Sequence, residues 1–325
     1  MQRLRALSIM AIVLALTSRV AAEGWPTRPV TLLSPGTPGS PSDVLARILV
    51  PRLSELLGQP VLVENAGGAG GITGAARVAK AAPDFHQFVL GNIGTHAQSQ
   101  TLYKHPPYNA VTDFAPVALI ATGSYVLVTR RDLPPNNLQE FINYTKENQA
   151  QMHFASSGTG SGVHLACLLL NTAIGVEVTH VPYRGSPAAL QDLLGGRIDY
   201  LCTVDATALP HIESKDVKAI AVLGRNGSPV LPGVASAQAQ GLANFSVETW
   251  WGFFMPKGTP HEIVDRLHAA TVATLNTPSV QQQLKAIGAD PAPGDRTSPQ
   301  YLKNFVESEI ARWAGPVKAS GVSID

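Results

Sequence analysis

The feature that most constrains the fold of this chain is a polar loop at residues 34–43, SPGTPGSPSD, between an apolar run and a helical pattern. Residues 30–33, VTLL, predict a strand, and apolar residues recur at helical spacing over residues 45–56. We expect Ser42 to cap that helix and Asp43 to lie in its first turn. The free N–H groups at such a helix start favour an anion, although a single loop of this kind is more often an ordinary turn.

The same arrangement occurs a second time, at residues 157–162, SGTGSG. Residues 154–156, FAS, predict a strand before this loop, and a helical pattern starts near Val163. Strands alternating with helices predict an α/β fold with largely parallel sheets, in which ligands sit at the carboxyl ends of the strands. We therefore expect two helix N-termini to face each other across a cleft for one small anion.

A glycine-rich loop at residues 65–74, NAGGAGGITG, also follows a predicted strand. Gly68 and Gly70 fit the dinucleotide-binding spacing, but the third glycine falls at Gly74, one residue late. We expect a tight turn in which the backbone approaches a small ligand or the facing loop, not a nucleotide site.

The pattern of strands and helices predicts two lobes. We assign residues 23–123 plus 250–325 to lobe 1 and residues 124–249 to lobe 2, so that the chain crosses between them near Gly123 and Trp250. Further helices are expected to start at Asn137, at Ser186 and at Ser298, and at the capping box of residues 259–262, TPHE. From Trp250 onwards the pattern is interpreted as long helices.

Residues 1–22 have the features of a cleavable signal peptide, with basic residues, a short apolar run and a small-residue site ending at Ala22. Removing its three arginines from the 24 Lys and Arg leaves 21 against 23 Asp and Glu, a net charge of −2. A net charge this close to zero does not favour binding to nucleic acid or to an anionic membrane. An exported, soluble protein is expected, with the periplasm as its compartment in a bacterium.

The two cysteines, Cys167 and Cys202, leave two possibilities open. An even pair in an oxidising compartment can form a disulfide, and neither cysteine has the charged neighbours of a reactive thiolate. The alternative is a pair of buried free thiols.

The sequence lacks the side-chain set that an enzyme needs. The loop at residues 158–162 has Gly160 where a nucleophile elbow has serine. The segment from His261 to Asp265 has aspartate where a zinc-protease helix has its second histidine. We expect no catalytic residue, no metal and no cofactor. An exported hydrolase acting on a small carboxylic ester or amide is the alternative class.

A series of short motifs in fixed order extends over the whole mature chain. They are SD 42–43, LAR 45–47, GQPV 58–61, EN 64–65, the glycines of 67–71, AKAAPD 79–84, THA 95–97, LY 102–103, PY 107–108, DFAPV 113–117, GTGS 158–161, HL 164–165, HVPYRG 180–185, DLLGG 192–196, LPHI 209–212, GTP 258–260 and RW 312–313. The chain resembles the periplasmic substrate-binding proteins of tripartite tricarboxylate transporters, the Bug family.

This resemblance implies a two-lobed, monomeric Venus-flytrap protein that captures a small carboxylate and passes it to the membrane subunits of a transporter. A binder that serves a sensor kinase instead is equally compatible with the sequence. Carried over residue by residue, the implied ligand-binding set is Pro38, Gly39, Ser40, Ser42, Asp43, Gly70, Gly71, Thr95 and His96 in lobe 1, and Ser157, Gly158, Gly160, Ser161, His164, Arg184 and Asp205 in lobe 2.

Some members of this set have a structural alternative. His164 either faces the cleft or ties the second loop, whereas His96 better fits a loop-organising role. Arg184 either binds a distal carboxylate or pairs with an acidic neighbour, and Asp205 better fits an ordering role than contact with an anion. The first polar loop of family members usually has two adjacent glycines, whereas this chain has Ser40 at the second position. The serine either narrows the site or adds a hydroxyl contact. Cys167 replaces a common small residue, which supports a bridge to Cys202 specific to this lineage.

Overall fold

A computed structural model describes residues 24–81 and 84–325 of the chain. Its ten strands are β1 (Val30–Ser34), β2 (Val61–Asn65), β3 (Gln87–Asn92), β4 (Phe114–Arg130), β5 (His153–Ser156), β6 (Thr179–Pro182), β7 (Tyr200–Val204), β8 (Val217–Val222), β9 (Glu248–Pro256) and β10 (Ala289–Pro291). The predicted signal peptide, residues 1–22, lies outside the described residues.

Ten α-helices alternate with or follow these strands within the described residues. They are α1 (Pro41–Leu57), α2 (Ile72–Ala79), α3 (Ser99–Leu102), α4 (Leu138–Asn148), α5 (Gly162–Ile174), α6 (Ser186–Leu194), α7 (Asp205–Glu213), α8 (His261–Leu275), α9 (Pro278–Ala286) and α10 (Pro299–Ala319). The alternation that the sequence predicted is therefore confirmed. No helix among these residues is long and apolar enough to cross a membrane.

The strands form one mixed sheet with two halves. The first half has the order β2-β1-β3-β9-β4, with β10 also pairing to β4, and the second has the order β6-β5-β7-β4-β8. β1, β2 and β3 are parallel, as are β5, β6 and β7, whereas every pairing of β4 and β9 is antiparallel. The halves join at β4, which pairs antiparallel with β9 on one side and with β7 on the other.

The strand β4 belongs to both halves of the sheet. Its residues up to Ser124 pair with β9, and its residues from Tyr125 onwards pair with β7 and β8. Trp250 lies inside β9, so the prediction of helices from Trp250 onwards was wrong for the first stretch. The run WWGFFM is apolar and aromatic without alternation, and such a run cannot be assigned to a strand or a buried helix by periodicity alone.

Both halves share one hydrophobic core. Strand residues such as Leu32, Phe88 and Leu201 are completely buried because helices cover both faces of the sheet. Burial of this kind, at roughly 25 cal/mol per Å² of apolar surface, is the main term that holds the elements in place.

The helix starts show which capping predictions hold. Asn137 and Ser298 cap α4 and α10 as predicted, with each side chain accepting a backbone N–H three residues on. The prediction of Ser42 as a cap was wrong, because α1 begins at Pro41 and Ser40 is its N-cap. Proline is favoured at the first helical position, so Pro41 places the start two residues earlier.

Two other helix starts also differ from the prediction. Ser186 is the first residue of α6, and Gly185 is its N-cap. The capping box at residues 259–262 does not form, because the Thr259 hydroxyl donates to the Pro256 carbonyl and Pro260 is the N-cap of α8.

Cys167 in α5 and Cys202 in β7 are joined by a disulfide, with their Cα atoms 5.2 Å apart. Both residues are fully buried. The bridge fastens the helix that follows the second polar loop to the sheet beneath it.

Candidate functional site

A cavity of about 70 Å³ lies between the two halves of the sheet, at the carboxyl ends of the parallel strands. The first half contributes Pro35, Gly36, Thr37, Ser40, Pro41, Ser42, Gly67, Gly68, Gly70, Gly71 and Asn92 to its wall. The second half contributes Ser157, Ser161, Gly162, Val163, Arg184, Gly185, Ser186 and Val204, and the joining strands contribute Tyr125, Thr249 and Trp251. The wall is therefore made of backbone, hydroxyl groups and a few aromatic side chains.

Four helices begin at this cavity. α1 begins at Pro41, α5 at Gly162 and α6 at Ser186, and α2 follows a 3-10 turn at Ala69–Gly71. The N–H groups of a first helical turn have no acceptor within their own helix, and the helix dipole places partial positive charge there. Convergence of these helix starts makes the cavity suited to an anion.

Among the described residues, the wall of the cavity carries one charged side chain, and it is cationic. Arg184, exposed at the rim, is the only charged side chain among the described residues of the wall, and no Asp or Glu lines it. Arg184 has no ion-pair partner within the described part of the chain. A carboxylate ligand would therefore meet hydrogen-bond donors and a guanidinium without a competing negative charge.

The loops of the two halves touch each other beside the cavity. A Cβ atom at Gly70 would lie 2.7 Å from the backbone nitrogen of Ser161, and Gly70 has a φ of +64°. A Cβ atom at Gly185 would overlap the hydroxyl of Thr37. The predicted close approach of the glycine-rich loop to the facing loop is confirmed, and only glycine allows it without a shift of backbone.

The structure brings part of the predicted residue set to the cavity and places the rest around it. The predicted residues that line the cavity are Ser40, Ser42, Gly70, Gly71, Ser157, Ser161 and Arg184. The predicted residues outside its lining are Pro38, Gly39, Asp43, Thr95, His96, Gly158, Gly160, His164 and Asp205. Of these, Pro38 and Gly39 line a separate surface groove next to Pro187.

The carboxylate of Asp43 stabilises the first polar loop through hydrogen bonds. It accepts hydrogen bonds from the Gly39 N–H at 2.9 Å, the Asn65 side chain at 2.9 Å and the Arg47 guanidinium at 3.0 Å. Burial alone would raise the pKa of Asp43, but the hydrogen bonds from Arg47, Gly39 and Asn65 outweigh it, and the net pKa is lowered. The ionised carboxylate is thus used within the loop and does not oppose an anion in the cavity.

His96 is part of the aromatic core beneath the first half. Its ring stacks on Phe254 with centroids 4.0 Å apart, and its Nδ1 lies 2.9 Å from the hydroxyl of Thr95. Complete burial lowers the pKa of His96 to about 3, so the ring is neutral. Thr95 and Asn92 in turn bond each other across the turn that follows β3. These contacts fit the loop-organising role considered for His96.

His164 and His180 stabilise the second polar loop as a stacked pair. Their rings stack with centroids 4.0 Å apart, and Phe154 stacks on His180 at 4.9 Å. The Gly160 N–H donates to His164 Nδ1 at 3.3 Å, while His180 Nε2 lies 2.7 Å from the hydroxyl of Ser156. Burial, followed by repulsion from His180, lowers the pKa of His164 to about 3. His164 is therefore a neutral acceptor that ties the loop.

Asp205 lies at the start of α7, where the halves of the sheet meet. Its carboxylate accepts a hydrogen bond from the Ser228 hydroxyl at 2.5 Å, and a Cβ atom at Gly288 would lie 2.8 Å from its own Cβ. Burial, with a smaller contribution from Asp290, raises the pKa of Asp205 to about 6 despite the bond from Ser228. These contacts fit the ordering role considered for this residue.

Sequence reasoning gave no site role to the residues that the joining strands supply, and for Trp251 it favoured packing over ligand stacking. Tyr125 in β4 and Thr249 and Trp251 in β9 form the side of the cavity nearest the crossing strands. Tyr125 is buried, and burial raises its pKa to about 12, so its phenol is neutral. The crossings predicted near Gly123 and Trp250 could have indicated these residues, because a ligand between two lobes also contacts the strands that connect the lobes.

A metal site is not formed by the described residues. No group of three or more His, Cys, Asp or Glu side chains within residues 24–81 and 84–325 could hold a metal ion. The polar chemistry of the cavity is therefore that of hydrogen-bond donors and one guanidinium.

Comparisons with known proteins place the chain in a family. The family model for the tripartite tricarboxylate transporter family receptor, TctC, matches residues 45–322. The structure of the periplasmic binding protein BugD is similar to this chain with a TM-score of 0.89 and 35% identity, covering 92% of this chain and 99% of BugD.

Two further solved structures are similar and contain ligands. MatC from Rhodopseudomonas palustris with bound malate has a TM-score of 0.87 and 38% identity, covering 90% of this chain and 100% of MatC. Rpa4515 of R. palustris with adipate has a TM-score of 0.87 and 35% identity, covering 92% of this chain and 99% of that protein. The predicted two-lobed α/β fold and the predicted resemblance are confirmed: the chain belongs to the tripartite tricarboxylate transporter receptors, as a member of the Bug family.

Proposed function

We propose that this protein captures a small carboxylate in the cavity between its halves and delivers it to the membrane subunits of a tripartite tricarboxylate-type transporter. The observation that carries this proposal is the convergence of four helix N-termini and Arg184 on a cavity whose described wall contains no acidic side chain. Members of the family are periplasmic solute-binding proteins. A carboxylate has two oxygens that can accept hydrogen bonds from several N–H and hydroxyl donors at once.

The ligands of the similar proteins support the carboxylate class. MatC was solved with malate and Rpa4515 with adipate. Both ligands are dicarboxylates that differ in length and in one hydroxyl group. A site built mainly of backbone donors tolerates such variation, because few side chains fix the length or substituents of the ligand.

The proposed mechanism is closure of two lobes over the ligand. Lobe 1 comprises residues 23–123 plus 250–325, and lobe 2 comprises residues 124–249, with β4 and β9 as the connecting strands. The contact of Gly70 with Ser161 is then a contact of the closed form. Closure excludes water, and hydrogen bonds to the carboxylate are stronger in the drier site.

The remaining parts of the proposal concern location and assembly. Residues 1–22 act as a signal peptide that directs the protein to the periplasm, and the mature protein begins at Glu23 and is monomeric. The protein binds without catalysing a reaction and needs no cofactor. These statements are supported by the sequence features of residues 1–22 and by the solute-binding role of the family.

A thermal-shift screen tests the binding proposal. Residues 23–325 are melted with mono-, di- and tricarboxylates, including malate, succinate, adipate and citrate. A ligand at a hundred times its Kd stabilises the folded state by about 2.7 kcal/mol, which a melting curve resolves. A hit among the carboxylates is the expected result. Absence of any hit, together with turnover of ester or amide substrates, would favour the hydrolase class instead.

Small-angle scattering tests the closure mechanism separately. The radius of gyration of the ligand-free protein is compared with that of the protein saturated with the best carboxylate. We expect a decrease on binding, because the lobes move together. An unchanged scattering curve at saturation would contradict hinge closure while leaving the binding result intact.

A further inference from the structure

The segment that follows α10, residues 320–325, pairs with the chain at the end of α3. Ile324 forms an isolated parallel bridge with Tyr103. The Ile324 N–H donates to the Leu102 carbonyl at 2.9 Å, and the Ile324 carbonyl accepts from the Lys104 N–H at 2.9 Å. Because α3 follows β3 in the chain, this pairing attaches the segment to the first half of the molecule.

The side chain of Ile324 reaches the second polar loop, which belongs to the other half. A Cβ atom at Gly160 would lie 2.8 Å from Leu102 Cδ2 and 3.1 Å from Ile324 Cδ1. Tyr103 Cε2 would be 3.9 Å away. The backbone of the loop thus packs directly against three side chains of the first half, Leu102, Tyr103 and Ile324, which we call the apolar seat.

Gly160 connects the apolar seat to the cavity. Its N–H donates to His164 Nδ1 at 3.3 Å, and the next residue, Ser161, caps α5 and lines the cavity. The described wall of the cavity includes none of the three residues of the apolar seat. The apolar seat therefore supports a loop that lines the cavity without itself reaching the cavity.

The contact between the apolar seat and Gly160 depends on how close the two halves are. Separation of the lobes would remove Gly160 from the seat and expose apolar side chains to water, which is unfavourable. We propose that Ile324 is a positioning residue that stabilises the closed form through Gly160 and so raises ligand affinity without touching the ligand. This inference rests on the proposed function, since it assumes that the lobes close over a carboxylate. A contact that exists only in the closed form shifts the equilibrium towards the form that holds the ligand.

The test compares two apolar residues of the same segment. Ile324→Ala removes the side chain that contacts Gly160, whereas Val322→Ala shortens a half-buried side chain that is not among the three nearest to Gly160. Ile324→Leu restores a side chain of the same size. Isothermal titrations with malate and adipate, dissociation rates by stopped flow, and melting curves without ligand are recorded for these variants and for the unmodified protein.

Affinity is the measurement that distinguishes the variants. For Ile324→Ala we expect about fourfold or greater loss of affinity, because burial of one CH₂ group is worth roughly a fourfold change in an equilibrium constant. The loss should appear as faster dissociation, as for most changes at an interface. We expect Ile324→Leu to retain most of the affinity and Val322→Ala to leave it unchanged. Both alanine variants should lower the Tm without ligand, because both side chains pack against the core.

Each other outcome overturns a different statement. Unchanged affinity of Ile324→Ala would overturn the role of Ile324 and leave the binding proposal standing. Equal losses of affinity in Ile324→Ala and Val322→Ala would show a general loosening of the segment, and would also overturn it. If Ile324→Ala does not fold, Ile324→Val replaces it, because it removes only the Cδ1 methyl group, and the same loss is expected. Failure of the unmodified protein to bind malate, adipate or any carboxylate of the panel would overturn the proposed function, and the inference about Ile324 with it.

Discussion

The two polar loops at residues 34–43 and 157–162 have the same local architecture but are held by different chemistry. Each follows a parallel strand and ends at a serine N-cap, Ser40 or Ser161. The first loop is anchored by the carboxylate of Asp43, which is ionised and hydrogen-bonded. The second is anchored by the neutral imidazole of His164. Two loops of similar sequence are thus stabilised by different titratable groups, an ionised carboxylate in the first and a neutral imidazole in the second.

The comparison also separates the use of the two serine hydroxyls. Ser161 caps α5 by accepting from the His164 N–H, so its oxygen is already engaged within the protein. Ser40 has no such bond. One serine hydroxyl is therefore engaged in capping its helix, and the other makes no hydrogen bond within the described part of the chain.

The largest expected effect comes from placing a negative charge in the second loop. Aspartate is as good an N-cap as serine, so Ser161→Asp keeps the start of α5 while facing the cavity with a carboxylate. Repulsion between two charges about 4 Å apart in a partly buried site should weaken carboxylate binding by roughly 100-fold or more. Isothermal titration measures the loss, and Ser298→Asp, an N-cap outside the cavity, is the matched control. Retained affinity in Ser161→Asp would mean that this loop does not contact the ligand.

A smaller effect is expected where the two halves touch. In Gly70→Ala the new methyl group would lie 2.7 Å from the Ser161 nitrogen, so the halves cannot come as close. We expect about tenfold weaker binding, since overpacking of this kind typically costs about 1–3 kcal/mol. Gly58→Ala is the control, because Gly58 has a similar φ of +74° with open space around it. If both variants lose affinity equally, the contact at Gly70 is not part of the closed form.

The charge of the cavity predicts a preference between two ligands of the same carbon skeleton. Aspartate carries an ammonium group that succinate lacks, and the described wall has no acidic residue to pair with it. Burying an unpaired cation beside four helix N-termini is unfavourable. We expect aspartate to bind roughly tenfold or more weakly than succinate, an energy difference of about 1.4 kcal/mol. Competition titration measures the ratio, with malate as a neutral-substituent control. Equal affinities of aspartate and succinate would show that the cavity contains a hydrogen-bond acceptor for the ammonium group.

Sequence patterns predicted the βα units and the two loops because these depend on local signals such as glycine, proline and apolar spacing. They did not predict which serine starts α1, since Ser40 and Ser42 are equivalent by residue type and only Pro41 distinguishes them. They also missed Tyr125, Thr249 and Trp251, which reach the cavity through the pairing of β4 with β9. That pairing joins residues more than a hundred positions apart, and periodicity within a short window carries no information about it.

The neutral imidazole that anchors the second loop also makes stability depend on pH. The folded state holds the pKa of His164 at about 3, well below its ordinary value of 6.5, so the unfolded chain binds more protons between these values. The free energy of unfolding therefore falls as pH drops below 6.5, and His164 contributes a slope of up to about 1.4 kcal/mol per pH unit. His164→Gln removes this contribution, so we expect its stability to fall less steeply between about pH 6 and pH 4. Urea unfolding at several pH values measures the slope, and the exposed His105 provides the control His105→Gln. A His164→Gln slope as steep as that of the unmodified protein would show that the second loop is not anchored by a neutral imidazole, and the contrast with the carboxylate-anchored first loop would be lost.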